Sequence, residues 1–319
     1  MVVVVGSTNV DTIAEVFDFP VDGETVKATR MDQFLGGKGA NQAIGVSRMG
    51  VECAFVSCLG EDWAGEYART HLAEETLSFY PLEDSQSTGQ SMIMVNKDGM
   101  NRIVILPGAN GRLSVGAVKA ASSIIEQASV MLLQGEIPWE TNEYLLRRYS
   151  GRITTILDPA PASVEMLDAL SLATFVTPNE QEFRLLAQHQ ADSSDDLMRV
   201  AKEFQKKVGT NLIVKLGSEG SVLVSEEGMI RIPPFCFGIP VDTTGAGDSY
   251  NAGLAAGIDK GKSVLDSAIC AAVSASICVT RKGTSSSLPF ENEVNRFLMS
   301  KPVALFRDSA IKSKGRSMV

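Results

Sequence analysis

The chain has 319 residues, 44% of them hydrophobic, and carries a formal net charge of −9 at pH 7. That is enough apolar material for a well-buried core in one large domain or two ordinary ones. The acidic balance sets up a field that repels nucleic acid and anionic lipid, which argues against both as partners.

In chain order, the first element is VVVV at residues 2–5, a strand. It is too short for the core of a signal peptide, and no apolar run approaches a membrane span, so a soluble, cytoplasmic protein is expected. DTIAEVFDFP (11–20) reads as a strand with no helix after it. GKGANQ (37–42) begins like a dinucleotide fingerprint but has Gln42 where that pattern needs Gly or Ala. It reads as a turn running into a helix, with Lys38 and Asn41 as polar heads that face a ligand or, in the plainer reading, a solvated loop. AFVSC (54–58) is a strand, and SMIMVNKDGMNRIVIL (91–106) is a pair of strands around an Asp98-Gly99 turn. LSVGAVKAASSIIEQ (113–127) has helical spacing, as does DSSDDLMRVAKEFQKK (192–207), where Leu197, Val200, Ala201 and Phe204 share a face. Strands SVMLLQ (129–134), ITTILD (153–158), TFVT (174–177) and NLIVKL (211–216) complete the series, and the basic tail KSKGRSMV reads as a frayed end.

This alternation predicts an α/β layered fold with a mostly parallel sheet and ligands at the carboxyl ends of its strands. The segments 11–20 and 91–106 break the rhythm and predict a small antiparallel element set apart, a lid or an interface. The five cysteines include no CxxC pair and read as free thiols in a reducing compartment. His71 and His189 lack a second histidine at ligand spacing, which argues against a histidine metal site or a Ser-His-Asp triad.

The most telling stretch is VDTTGAGDSYNAG (241–253). If a helix starts near Ala246, the amides of Gly245 to Asp248 have no carbonyl partners within it. Small residues let an anion approach them, and the helix end adds partial positive charge. Such a hole suits a phosphoryl group in flight. Asp248 beside it makes sense facing a hydroxyl that attacks the phosphate, and so weak a base suffices if the transition state is loose and the proton leaves late. Taken alone, the stretch also allows the commoner role of an acidic residue complementing a helix dipole. GKS (261–263) is not a Walker A loop, because Ala256 stands at its first glycine and a helix precedes it.

Together these runs resemble the phosphofructokinase-B (PfkB) family of carbohydrate kinases. FLGGKGANQAIGVSRMG (34–50) is similar to its first signature and DTTGAGDSYNAGL (242–254) to its second. VVVVGSTNVD, DPAPA (158–162), TPNEQE (177–182) and KLGSEG (215–220) fall in the family's order. The resemblance implies a three-layer α/β/α sandwich with a mostly parallel central sheet, as one kinase domain over 1–319 with a β lid from about 11–35 and 88–106. It implies transfer of the ATP γ-phosphate to a sugar hydroxyl, with Asp248 as base and Gly245, Ala246 and Gly247 as anion-hole amides.

Asn9, Asp11, Gly37, Lys38, Asn41 and Glu136 match the family's ribose-contacting positions, which implies ribose phosphorylated at O5. Asn179, Lys215, Gly217, Gly220 and Gly247 match its nucleotide side. Glu182 matches its magnesium-associated carboxylate, acting through water. Asp242, Thr244, Cys278, Arg281, Gly283 and Ser287 match a potassium loop, several through backbone carbonyls. ATP, Mg2+ and K+ are thus the implied cofactors. Ser249, Tyr250 and Ser286 depart from the Thr, Phe and Pro that relatives carry. Alternatives are another acceptor (2-deoxyribose, fructose or a nucleoside), a sugar-binding regulator without catalysis, or a dinucleotide oxidoreductase. Met92 and Met94 set against Ile93 and Val95 put apolar residues on both faces of a lid strand, which predicts a homodimer through the lid.

Overall fold

The computed structural model describes residues 1–189, 194–300 and 303–306. The basic tail, and residues 192–193 of the expected 192–207 helix, lie outside the described residues. Among the described residues the main sheet has nine strands. They are β1 (Val2–Val5), β4 (Cys53–Gly60), β5 (Ser78–Asp84), β8 (Val130–Gln134), β9 (Thr154–Asp158), β10 (Phe175–Val176), β11 (Asn211–Lys215), β12 (Ser221–Ser225) and β13 (Gly228–Ile232). Four more strands, β2 (Asn9–Val16), β3 (Ala28–Gly36), β6 (Gly89–Val95) and β7 (Asn101–Leu106), form a separate sheet. The helices are α1 (Lys38–Arg48), α2 (Trp63–Ala73), α3 (Val115–Ala120), α4 (Ser122–Ile125), α5 (Trp139–Tyr149), α6 (Glu180–Ala187), α7 (Ser194–Val208), α8 (Ala246–Asp259), α9 (Val264–Cys278) and α10 (Glu291–Leu298).

The large sheet runs β13-β12-β11-β10-β9-β8-β1-β4-β5. It is parallel from β11 to β5, and β12 and β13 extend it as an antiparallel hairpin. The four valines of β1 show why it lies at the centre: all are fully buried. Val2 and Val4 point into one core with α1, α8 and α9, and Val3 and Val5 into the other with α5, α6 and α7. A strand covered on both faces has no polar side to show, hence the unbroken apolar run.

Two expectations need correction. Residues 113–127 do not make one helix: α3 and α4 are separated at Ala121, whose backbone (φ −91°, ψ 7°) leaves helical geometry. The break keeps Val118, Ala121 and Ile125 all packed in the core. The small sheet, ordered β3-β2-β6-β7, is not wholly antiparallel, since its central pair β2–β6 is parallel. Those two strands come from distant segments, and only their flanking partners β3 and β7 are hairpin neighbours.

The β6–β7 turn is held by Asn96, whose Oδ1 accepts from the amides of Asp98 (3.1 Å) and Met100 (2.9 Å), with Gly99 at φ 76°. On β7, Ile103, Val104, Ile105 and Leu106 are all more than half exposed, so apolar side chains stand bare on both faces. All five cysteines are free thiols. Among the described residues no helix is long and apolar enough to cross a membrane.

Candidate active site

β1 and β2 are joined by Gly6-Ser7-Thr8, and α1 begins against this turn. Gly37 precedes α1 at φ 88°, and a Cβ there would lie 2.8–2.9 Å from the backbone of Ser7, Thr8 and Asn9. Only glycine allows that approach. It brings Asn9, Asp11, Lys38 and Asn41 into one region. α8 enters from the other side, behind Gly245 at φ 78°. The amides of Gly245, Gly247 and Asp248 have no backbone partner among the described residues, whereas that of Ala246 donates to the Thr243 carbonyl at 3.2 Å. The free donors are therefore the two glycines and Asp248, and Ala246 is engaged within the turn.

Asp248 is almost fully buried and held at both oxygens. Asn41 Nδ2 donates to its Oδ2 at 2.9 Å, and Gln42 Nε2 to its Oδ1 at 3.1 Å. Burial pushes its carboxyl up from the ordinary 3.8 to about 6. The Lys38 ammonium and the two amide donors oppose that rise, and nearby Asp158 adds to it. For Lys38, burial alone would lower the ammonium, but Asp248, Asp158, Glu136 and Glu182 outweigh it and hold it above its usual value. Lys38 is the positive centre of a four-carboxylate site.

The polar side chains near the β1–β2 turn have fixed orientations. Asn110 accepts from the Thr8 amide at Oδ1 (2.9 Å), so its Nδ2 donates, to the Thr8 carbonyl (3.0 Å) and to Asn9 Oδ1 (2.8 Å). Asn9 is thereby left with its Nδ2, a donor. Asn41 uses its Nδ2 on Asp248, so its buried Oδ1, which has no partner among the described residues, is an acceptor. Glu136 Oε2 accepts from Ser7 Oγ (2.5 Å) and the Lys38 amide (3.0 Å). Asp11 Oδ1 accepts from Ser91 Oγ at 2.5 Å, across the β2–β6 register. Burial raises the Asp11 carboxyl, Ser91 opposes that, and Glu136 adds to it. Donors and acceptors interleaved in this way suit a small polyhydroxylated ligand.

At the carboxyl ends of β9, β10 and β11 lies a second group. Asn179 caps α6 in a reciprocal box: its Oδ1 accepts from the Glu182 amide (2.9 Å), and Glu182 Oε2 accepts from the Asn179 amide (2.7 Å). Asn179 also bridges to Lys215 in parallel fashion. Lys215 Nζ donates to Asp158 Oδ1 at 2.9 Å, and a Cβ on Gly247 would sit 3.4 Å from that ammonium. Lys215 therefore stands beside the free amides of α8. Gly217 (φ 57°) and Gly220 (φ 87°) form the turn after β11, and a side chain at Gly220 would strike the Ile232 carbonyl. Burial raises the Glu182 carboxyl, with Asp158 adding and the Asn179 amide, Lys215 and Lys38 opposing.

The third group flanks the start of α8. Asp242 accepts from the Thr244 amide (2.9 Å), the Thr244 hydroxyl (2.6 Å) and the Gly283 amide (3.1 Å). Burial would raise its carboxyl, but these donors outweigh it and hold it below the usual range. Cys278 Sγ lies 3.0 Å from Ser287 Oγ, which donates to the Thr284 carbonyl. Arg281 turns its side chain away, onto Glu293, and its amide takes the Cys278 carbonyl. Among the described residues no three His, Cys, Asp or Glu side chains group as a metal cage. The donors present are hard oxygens, one carboxylate at a time. That fits magnesium shared with phosphates at Glu182 and a monovalent cation among Asp242, Ser287 and loop carbonyls.

Sequence reasoning missed Asp158, Gln42, Ser7, Ser91 and Asn110 as parts of the site. Asp158 could have been found as the acidic end of a buried strand. Gln42 was in view only as the residue that spoils a dinucleotide pattern. The departures are accommodated: the Tyr250 hydroxyl meets Ser221 Oγ at 2.9 Å, and Ser249 Oγ meets Ser274 Oγ at 2.9 Å.

A sheet of this topology, with a glycine-preceded helix and a buried carboxylate at its strand ends, defines a small-molecule phosphotransferase of the α/β class. The pfkB family carbohydrate kinase model matches residues 1–291. A ribokinase of Haemophilus influenzae is 34% identical over 300 residues, covering 92% of this chain and 97% of that protein. The crystal structure of a Thermotoga maritima ribokinase superposes with a TM-score of 0.85 at 35% identity, covering 94% and 99% of the two chains. An Arabidopsis thaliana ribokinase, complexed with ribose and ATP, gives 0.85 at 30% identity over 94% and 99%. The chain belongs to the pfkB family of carbohydrate kinases, has the fold of its ribokinase neighbours, and is an ATP-dependent sugar kinase.

Proposed function

We propose that this kinase phosphorylates D-ribose at O5 to ribose 5-phosphate. The observation that carries the reading is the oriented set around Asp248: Asn9 presents a donor, and Asn41, Asp11 and Glu136 present acceptors. The relatives named as ribokinases, one of them solved with ribose and ATP, support the same acceptor.

In this reading the O5 hydroxyl lies against Asp248. Its oxygen attacks the γ-phosphorus in line with the leaving ADP, and its proton passes to the Asp248 carboxylate as the new P–O bond forms. A base lifted to about 6 is ionised at neutral pH yet more basic than a free aspartate. The amides of Gly245, Gly247 and Asp248 meet the charge that builds on the phosphoryl oxygens. Lys215 and Lys38 add positive charge on either side. Glu182 would hold magnesium through water, and the ion would supply charge neutralisation on the ATP phosphates. Asp242, Ser287 and nearby carbonyls would hold a potassium ion, which would supply positive charge beside the α8 turn. The small sheet acts as a lid over the sugar, and its bare β7 face pairs with a second copy in a cytoplasmic dimer.

Calorimetric titration with a sugar panel tests the acceptor. Ribose should bind in preference to 2-deoxyribose, fructose and nucleosides, since a site that pairs each hydroxyl rejects analogues lacking one. Preference for another of these would move the substrate and leave the phosphotransfer chemistry standing.

A further inference from the structure

Gln42 is fully buried at the start of the second turn of α1, between two carboxylates. Its Nε2 donates to Asp248 Oδ1 (3.1 Å) and to Asp158 Oδ2 (2.9 Å). Its Oε1 accepts from Gln134 Nε2 at 2.8 Å, and Asn142 Nδ2 donates to the Gln134 backbone carbonyl at 2.7 Å. The amide cannot turn over, because a carbonyl facing two carboxylates would lose both hydrogen bonds and face like charge. The far oxygen of Asp158 carries Lys215. One unbroken line therefore runs from Asp248, through Gln42 and Asp158, to the ammonium beside the free amides of α8.

We infer that Gln42 is a positioning residue for phosphotransfer. It holds Asp248 in its reactive orientation by one N–H, and through the other it keeps Asp158 aimed at Lys215. The inference rests on Asp248 being the base. Two carboxylates this deep in protein repel each other, and either could swing out of line. An amide donor shared between them satisfies both without adding net charge, whereas a lysine or arginine there would quench the base. No other residue type of this length offers two donors at one end and an acceptor at the other.

The test compares Gln42→Met, which keeps length and removes both donors, with Gln42→Glu. Gln42→Met should lower kcat about ten- to a hundredfold with the KM for sugar changed less than threefold, as expected for an interaction that acts on the reacting group. The acidic limb of its pH–rate profile should also move to higher pH. The groups that face Asp248 are Lys38 from α1, Asp158 from β9 and Cys278 from α9; Asp158 loses its own Gln42 donor in the same substitution, whereas Lys38 and Cys278 make no bond to Gln42.

Gln42→Glu can donate one proton only while neutral, so its activity should fall as pH rises through the range where the wild type gains. If Gln42→Met fails to fold, this inverted profile carries the test alone. Wild-type kcat and an unmoved acidic limb in a folded Gln42→Met enzyme would overturn the inference, even if its melting temperature dropped. Asp248→Asn, run alongside, separates the two ideas. Retained turnover there sinks the base itself, whereas a dead Asp248→Asn beside an unaffected Gln42→Met sinks only the role of Gln42.

Discussion

Asp248→Asn should abolish turnover and yet become progressively more stable, relative to the unsubstituted protein, as pH rises. Burial lifts the Asp248 carboxyl from 3.8 to about 6. A carboxyl raised in the folded state helps the fold while it is protonated. That advantage is complete below the unfolded value and is lost as pH climbs through the folded one. About two units correspond to roughly 3 kcal/mol. Asparagine does not ionise, so it escapes this loss. Its NH2 must face either Asn41 Nδ2 or Gln42 Nε2, which costs about 1–3 kcal/mol, but that penalty does not vary with pH. The stability difference between the two proteins should thus move by roughly 3 kcal/mol in favour of asparagine between pH 4 and pH 8. With about 2.1 cal/mol/K of unfolding entropy per residue, this is on the order of 4–5 °C in melting temperature. Thermal melts of both proteins across that range, without nucleotide, read it directly. A difference that stays constant with pH would refute the claim that the protein holds an ionised carboxylate here at a cost.

Glu182→Gln keeps the α6 cap and removes only the charge, so stability should change by less than about 1 kcal/mol while the magnesium needed for half-maximal rate rises tenfold or more; a magnesium titration decides. Lys215→Met leaves the nearly fully buried Asp158 with Gln42 as its remaining side-chain donor among the described residues and should cost about 3–5 kcal/mol in urea unfolding, a loss under 1 kcal/mol being contrary to the buried-pair reading. Asp242→Ala should bring rates in potassium and sodium close together, and an undiminished preference for potassium would place the cation elsewhere. Ile103→Glu with Ile105→Glu on β7 should turn a dimer into a monomer in light scattering; an unsubstituted protein that is already monomeric at micromolar concentration contradicts the lid pairing.

The parts of this molecule that could be read beforehand are those governed by local rules. β1, β8, β9 and β11 are short apolar runs buried on both faces, and such runs have few other uses in a chain with this alternation. The α8 start was legible because Gly245 and Gly247 are needed where a Cβ would be strained or would press on Lys215. What escaped was non-local. β5 carries Pro81, which lowers its strand signal, and is tolerated because β5 is a sheet edge. Ala121 splits a helix whose spacing alone predicts continuity. Gln42 and Asp158 are 116 positions apart, and nothing in either segment announces that one amide will bridge that carboxylate and Asp248.

If this kinase acts as proposed, ATP's γ-phosphate moves to O5 of ribose. Phosphorus NMR of a reaction with ATP, magnesium, potassium and ribose tests it most directly, with 5-deoxyribose as the control. A ribose 5-phosphate signal should grow in step with ADP, and none should appear with 5-deoxyribose. Phosphate appearing on another hydroxyl, or ATP consumed equally without ribose, would contradict it.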